Sequence, residues 1–340
     1  MKRLFVLFAF LLVSCAVFAQ DEKPQSEGTL LIVPRIEAEP LYSFGEHAWS
    51  VDMGTTSFYT FFDGNLGDHF SFSIGNHWFT YCDSFENVKD LYRNTWRTDV
   101  NNWVDWAYVT VRFSGFFFQL GKDYIHFGTH EVDTYDHDSH WQLNSALWNN
   151  YQVYQLGGRF GWTDDEETTK IMLEVVNDQP RDGEPRKPYS CRSVDDYAFN
   201  LFGTHDFENV TLMASVGHCS LNWIGGFGLG VNFSDAFSMI LDGYASKTYG
   251  GASLKMTVSP TEQFDLFAKA GFDKGNNELV LEGNRFFAGA GGYWYPIRKS
   301  HDLRIHALAA YDSFNVGLDE PAPTLGFSVG LTYALNLQIF

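Results

Sequence analysis

Residues Thr324 to Phe340 alternate along their length. Leu325, Phe327, Val329, Leu331, Tyr333, Leu335, Leu337 and Ile339 are apolar, and Gly326, Ser328, Gly330, Thr332, Ala334, Asn336 and Gln338 lie between them. A period of two is that of a β-strand showing one face to an apolar medium and the other to water or small side chains. An ordinary strand runs for about five or six residues. A strand crossing a bilayer at a tilt needs about ten and carries this alternation.

The opposite end of the chain reads as an export signal. Lys2 and Arg3 form a basic start, Leu4 to Val13 an apolar stretch, and Ala19 a small residue at the cut before Gln20. The apolar stretch is too short for a spanning helix. Leu12-Val13-Ser14-Cys15 also fits a lipoprotein signal, which would make Cys15 the lipidated first residue; either route exports the chain. Residues 20 to 28 are then a short polar leader. Beyond it no apolar run approaches the roughly 18 residues of a transmembrane helix. The 32 phenylalanines, 17 tyrosines and 31 glycines suit β-structure with aromatics at membrane interfaces instead.

The net charge is −19, and the signal contributes two basic residues to it, so the mature chain is still more acidic; nucleic acid is excluded as a partner. Cys82, Cys191 and Cys219 form an odd set in an oxidising compartment, and the sequence does not choose a pair. No zinc spacing is present and no cofactor is implied.

Further alternating stretches follow in order. They are Thr29 to Glu37, Ser50 to Phe62, His69 to Phe79, Val104 to Phe113, Phe116 to Tyr124, Tyr151 to Trp162, Thr168 to Val176 and Asp196 to Thr204. The second half adds Val210 to His218, Trp223 to Phe233, Phe237 to Lys247, Ala252 to Val258, Phe264 to Phe272, Phe286 to Tyr295 and Asp302 to Tyr311. Pro34 removes a ladder donor from the first, so its limits are the hardest to set. Short Asn-, Asp- and Gly-bearing turns occupy every second connection and mostly longer loops the others. The fold expected is an all-β transmembrane antiparallel barrel spanning 29–340, with about 16 strands (14 to 18) and both termini on the turn side. The last strand should close the sheet on Thr29 to Glu37, because an open edge cannot remain in lipid.

The chain resembles bacterial outer-membrane porins, broadly the phosphate-selective type. The resemblance rests on Val104-Asp105-Trp106-Ala107-Tyr108-Val109-Thr110-Val111, followed by Phe118-Gln119-Leu120-Gly121-Lys122-Asp123-Tyr124-Ile125-His126-Phe127-Gly128. It departs from the family at His126, where proline is common. The terminal Phe340 resembles the aromatic end of such barrels, one residue out of phase with its own strand. The resemblance implies a location in the Gram-negative outer membrane and passive diffusion of small hydrophilic solutes or ions. It also implies contact with outer-membrane lipid, no enzymatic activity, and the homotrimer common among porins, for which no interface is legible. In porins of this kind the third loop folds into the lumen, which here singles out the loop 125–149.

Selectivity is set by what lines the lumen. The loop carries Glu131, Asp133, Asp136 and Asp138; strand phase points Arg35, Arg112, Arg159, Lys255, Lys269 and Arg304 inward, together with Glu37, Glu174 and Asp265 as partners for them. Acids on the loop facing bases on the wall would create a transverse field across a constriction. His126, His130, His137 and His140 share the loop, but their spacing matches no compact metal motif, so no metal is expected. A plugged barrel serving adhesion or binding is the alternative. A barrel hydrolase built on Ser139 with His137 or His140 is a more distant one, because GxSxG is absent.

Overall fold

A computed structural model describes residues 26–52, 56–80, 104–134, 140–151, 153–178, 197–277, 280–298, 300–315 and 322–339. The export signal, Cys15, Cys82, Cys191, Asp136, Asp138, His137, Ser139 and Phe340 lie outside them, as do residues 81–103 and 179–196. One antiparallel sheet contains every described strand, β1 (Ser26–Ser43) to β18 (Leu335–Gln338). Its 18 segments make 16 barrel strands. β2 (Ala48–Asp52) and β3 (Ser57–Leu66) follow one another along the same edge of β1, and β17 (Ala322–Tyr333) and β18 follow one another along the other. β1 thus closes the sheet on itself.

The expected closure is present: Arg35 pairs with Thr332 and Thr29 with Gln338. The break between β17 and β18 has a cause in β1. Arg35 to Thr332 and Ile32 to Leu335 are in one register, which puts Pro34 opposite Tyr333 and Val33 opposite Ala334. Pro34 has no N–H to give, so the ladder lapses there and resumes. β1 is longer than the sequence suggests at both ends. Ser26 to Gly28 pair with Leu66 to Gly64, so the leader ends earlier than residue 28, and β1 runs on past Pro40 to a tight turn at 44–47. The prolines were misleading because a strand tolerates a missing donor where its neighbour is also interrupted.

The burial is inverted relative to a soluble protein. In β8 (Thr169–Asn177), Ile171 and Leu173 are each 50% exposed while Glu174 between Leu173 and Val175 is 0% exposed. Val329 is 57% exposed and its neighbour Ser328 2%. Apolar side chains face outward around the whole barrel, which only an apolar surrounding favours. Large aromatics crowd both ends of that surface: Phe116, Trp162, Phe233 and Trp294 near the short turns, Phe44, Trp49, Trp78 and Trp223 near the loops. Some stack in pairs, as Phe116 does on Phe160 and Phe264 on Trp294.

Candidate functional site

Residues 125–151, between β6 (Phe116–Tyr124) and β7 (Tyr154–Thr163), contain α1 (His130–Asp133), a 3-10 turn (Trp141–Leu143) and α2 (Ala146–Asn150). Helices this short are not stable alone. Their order comes from the barrel's inward face, which satisfies their backbone groups. The Asp242 carboxylate accepts the N–H groups of His130 (2.8 Å) and Glu131 (3.0 Å), and Asp273 accepts that of Ala146 (3.0 Å). Ser145 caps α2 by accepting from Trp148 N–H (3.1 Å). Arg285 donates to the carbonyls of Asn144 (2.6 Å) and Gln142 (3.1 Å) while pairing with Asp312 (2.8 Å) and Asp273 (3.1 Å).

Apolar contacts add to these bonds. Ile125, Phe127, Val132, Leu147 and Val153 pack on Val176, Leu221, Ile224 and Leu281 of the wall side, and Leu143 packs on Phe267, Phe287 and Leu308. Burying each such side chain stabilises by about 1.5–3 kcal/mol, so the segment is held rather than merely resting. The wall makes room with glycine. A Cβ on Gly226 would clash with the Phe127 carbonyl oxygen, and Gly228 and Gly230 of the same strand face Thr129 and His130. Gly128 (φ +71°) turns the chain hard against the backbone of Ala214 and Ser215.

The inward bases differ in their settings. Arg159 is fully buried, with its Nε 2.8 Å from Glu174, which also accepts from His126 Nδ1 (2.8 Å) and Asn200 (2.7 Å). Arg35 pairs with Glu37 at 2.7 Å. Asp265 accepts from the Tyr295 hydroxyl (2.9 Å). Lys269 meets Glu131 at 2.7 Å, and Glu131 also accepts the Ser145 N–H (2.9 Å), so one carboxylate ties both halves of the segment to the wall. Burial raises the Glu131 pKa, but Lys269 and the hydrogen bonds outweigh it and hold the carboxyl below its usual range. Lys255 lies over the Phe267 ring (5.5 Å) and Arg304 over the Tyr293 ring (5.2 Å). Arg112 is at the turn end of β5 (Val104–Phe113), largely exposed and 3.6 Å from Glu167. Lys255, Lys269, Tyr293, Glu131, Trp148 and His130 line one open cavity between segment and wall.

Asp133 turns back into its own segment, its Oδ2 accepting Thr129 N–H (2.8 Å) while its buried Oδ1 has no hydrogen-bond partner. Burial pushes its pKa up to about 7. A carboxyl whose folded pKa is raised stabilises the fold fully below its unfolded value, near 3.8, and loses that contribution as pH rises through about 7. Protease protection of the segment is therefore expected to fall between about pH 4 and 7 and to level off above that. Asp133→Asn should flatten that profile; an unchanged one would assign the titration elsewhere.

Sequence reasoning missed Asp242, Asp273, Arg285 and the glycines at 226, 228 and 230. The glycines, alternating on one face of a strand, were the signal available for a segment lying against that face.

No protein-family model matches the chain, and no curated protein matches it in sequence. Solved structures do. The outer membrane channel DcaP of Acinetobacter baumannii is 10% identical with a TM-score of 0.62, over 92% of this chain and 99% of that one. The anion-selective porin from Comamonas acidovorans is 10% identical with a TM-score of 0.61, over 92% and 100%. OmpT of Vibrio cholerae, in vitro folded and in its trimer form, is 12% identical with a TM-score of 0.53, over 91% and 99%. What this chain shares with them is the closed, antiparallel, 16-strand barrel of the outer-membrane porins.

Proposed function

We propose that the chain is an outer-membrane porin through which small hydrophilic solutes, anions in preference, diffuse past a constriction formed by residues 125–151. The observation that carries this is the pairing of an apolar exterior with a lumen in which a polar-anchored segment faces a wall bearing Lys255 and Lys269. Residues 1–19 are then removed on export, 20–25 precede the barrel, and the barrel occupies the rest.

The transverse field narrows in this reading. Glu131 and Lys269 offset one another at contact, and Glu37 and Glu174 do the same for Arg35 and Arg159. Lys255 of β13 (Tyr249–Thr261) stands directly opposite Lys269 of β14 (Phe264–Asn277), and Arg304 lies farther along the same wall. With Lys269 offset by Glu131, the charges of Lys255 and Arg304 raise the local concentration of anions and repel cations. Phosphate, the solute class suggested by the resemblance to phosphate-selective-type porins, is the first to test. The trimer form of OmpT supports a homotrimer here.

Planar-bilayer recording in a salt gradient is the test. Wild type is expected to conduct with an anion-selective reversal potential, and Lys255→Glu should shift that potential toward cations, as should Arg304→Glu. Absence of conductance would favour a plugged binding barrel; conductance with a reversal potential indifferent to both charge reversals would remove the selectivity assignment.

A further inference from the structure

From the arrangement of three residues distant in sequence we infer a transition-metal site that fastens the 125–151 segment to the seam of the barrel: Glu37 of β1, His306 of β16 (Leu303–Asn315) and His140 of the segment. One ligand atom from each lies within 4.8 Å of the other two. His140 Nδ1 is 3.7 Å and His306 Nε2 3.8 Å from Glu37 Oε1, with all three side chains 8% exposed or less.

The separations are informative. They are too long for nitrogen–oxygen hydrogen bonds, which run to about 3.2 Å. They are a few tenths of an ångström wider than the spacing of ligands around an ion bonded at about 2.0–2.2 Å. A small contraction, well within reach of a side chain on a loop, would complete the shell. Each ring turns one nitrogen toward Glu37 Oε1, His140 its Nδ1 and His306 its Nε2, so the three donor atoms converge on one point. His306 Nε2 also meets the Ser328 hydroxyl at 3.4 Å, a long contact that an ion would replace.

The surroundings define the class of ion. Glu37 Oε2 accepts from Arg35 (2.7 Å), which fixes the carboxylate, and Oε1, which also accepts from the Ser328 hydroxyl, faces both rings. Magnesium and calcium depend on oxygen ligands and negative charge, and are disfavoured. Zinc, nickel and copper draw on imidazole nitrogen and accept a two-His, one-carboxylate set with water completing the shell. His140 borders the open cavity, which gives the ion a way in from water.

The consequence would be mechanical. Glu37 and His306 lie on two strands that both pair with β17, beside the closure of the sheet, and His140 immediately precedes the 3-10 turn of the segment. A bound ion would restrain the segment without blocking the cavity.

The test uses the full mature chain, purified in detergent with an affinity tag free of histidine. Cobalt(II) titration is expected to give a visible absorption spectrum of a protein-bound ion at one equivalent per chain, displaced by zinc, with zinc raising the thermal midpoint. His140→Ala, on the segment and outside every strand, should abolish the saturable spectrum while leaving the barrel folded by circular dichroism. His306→Ala should do the same, and Glu37→Gln should weaken binding at least about tenfold, as loss of a ligand does. A saturable spectrum that survives His140→Ala, or no stoichiometric binding by wild type, would overturn the assignment.

Discussion

Arg285→Leu is expected to cost about 3–5 kcal/mol of stability and to raise unit conductance, because one guanidinium serves two structures at once. Toward the wall it faces Asp273 and Asp312; toward the lumen it donates to the carbonyls of Gln142 and Asn144. Removing it leaves two carboxylates, each 2% exposed or less, without their counter-charge, and breaking a buried pair from one side is the expensive way to break it. The same change frees the carbonyls that hold the second half of the segment. The two effects separate by a further variant. Arg285→Leu combined with Asp273→Asn and Asp312→Asn removes the stranded charges, so most of the stability should return while the enlarged conductance stays. Denaturant midpoints in detergent and single-channel recording read the two quantities. If the single variant unfolds no earlier and conducts as wild type does, Arg285 is not the anchor described here.

Arg285 also shows where reading the sequence fell short. The strand expected from Phe286 starts at Leu281, and the one expected to end at Phe272 reaches Asn277, so Arg285 and Asp273 were assigned to a loop when they face each other across a ladder. Their stretch, Phe272 to Phe286, is rich in charge, Asn and Gly, the composition of a turn, and the pairing that overrides it is nonlocal. Asp242 was in an expected strand, yet its partners are the backbone N–H groups of His130 and Glu131, more than a hundred residues away, and no spacing encodes that. Arg159 and Glu174 were legible because they are direct cross-strand partners on one inward face, and Arg35 and Glu37 because residues two apart share a face. Closure between the first and last strands was legible for a simpler reason: lipid on the outside forces the alternation to be strict wherever the wall is thin. The lumen imposes no such rule, since water, ions and a folded segment each accept different side chains. The site is therefore harder to read than the wall that contains it.

Gly226→Ala should unseat the first half of the segment, and with it widen the pore, through a single methyl group. The added Cβ would clash with the carbonyl oxygen of Phe127, a backbone atom that cannot rotate aside. Something must move, and the relative holding forces decide what. Gly226 lies in β11 (Asn222–Ser234), bonded along its length to β10 (Val210–Cys219) and β12 (Phe237–Ser246), while the segment near Phe127 is already pressed onto the backbone of Ala214 and Ser215 at Gly128. The sheet is continuous and closed, so the wall cannot retreat without breaking ladder bonds on both sides; the segment has only its own anchors to lose. It should yield, losing the packing of Phe127 and Val132 at about 1.5–3 kcal/mol each. Gly225→Ala on the same strand is the control, because its Cβ would meet nothing nearer than 3.6 Å. Proteolysis within 125–151 should then become fast in Gly226→Ala alone, with unit conductance raised in that variant and unaltered in Gly225→Ala. Equal protection and equal conductance in the two variants would mean that the segment does not rest on this wall, and the constriction would have to be sought elsewhere in the lumen.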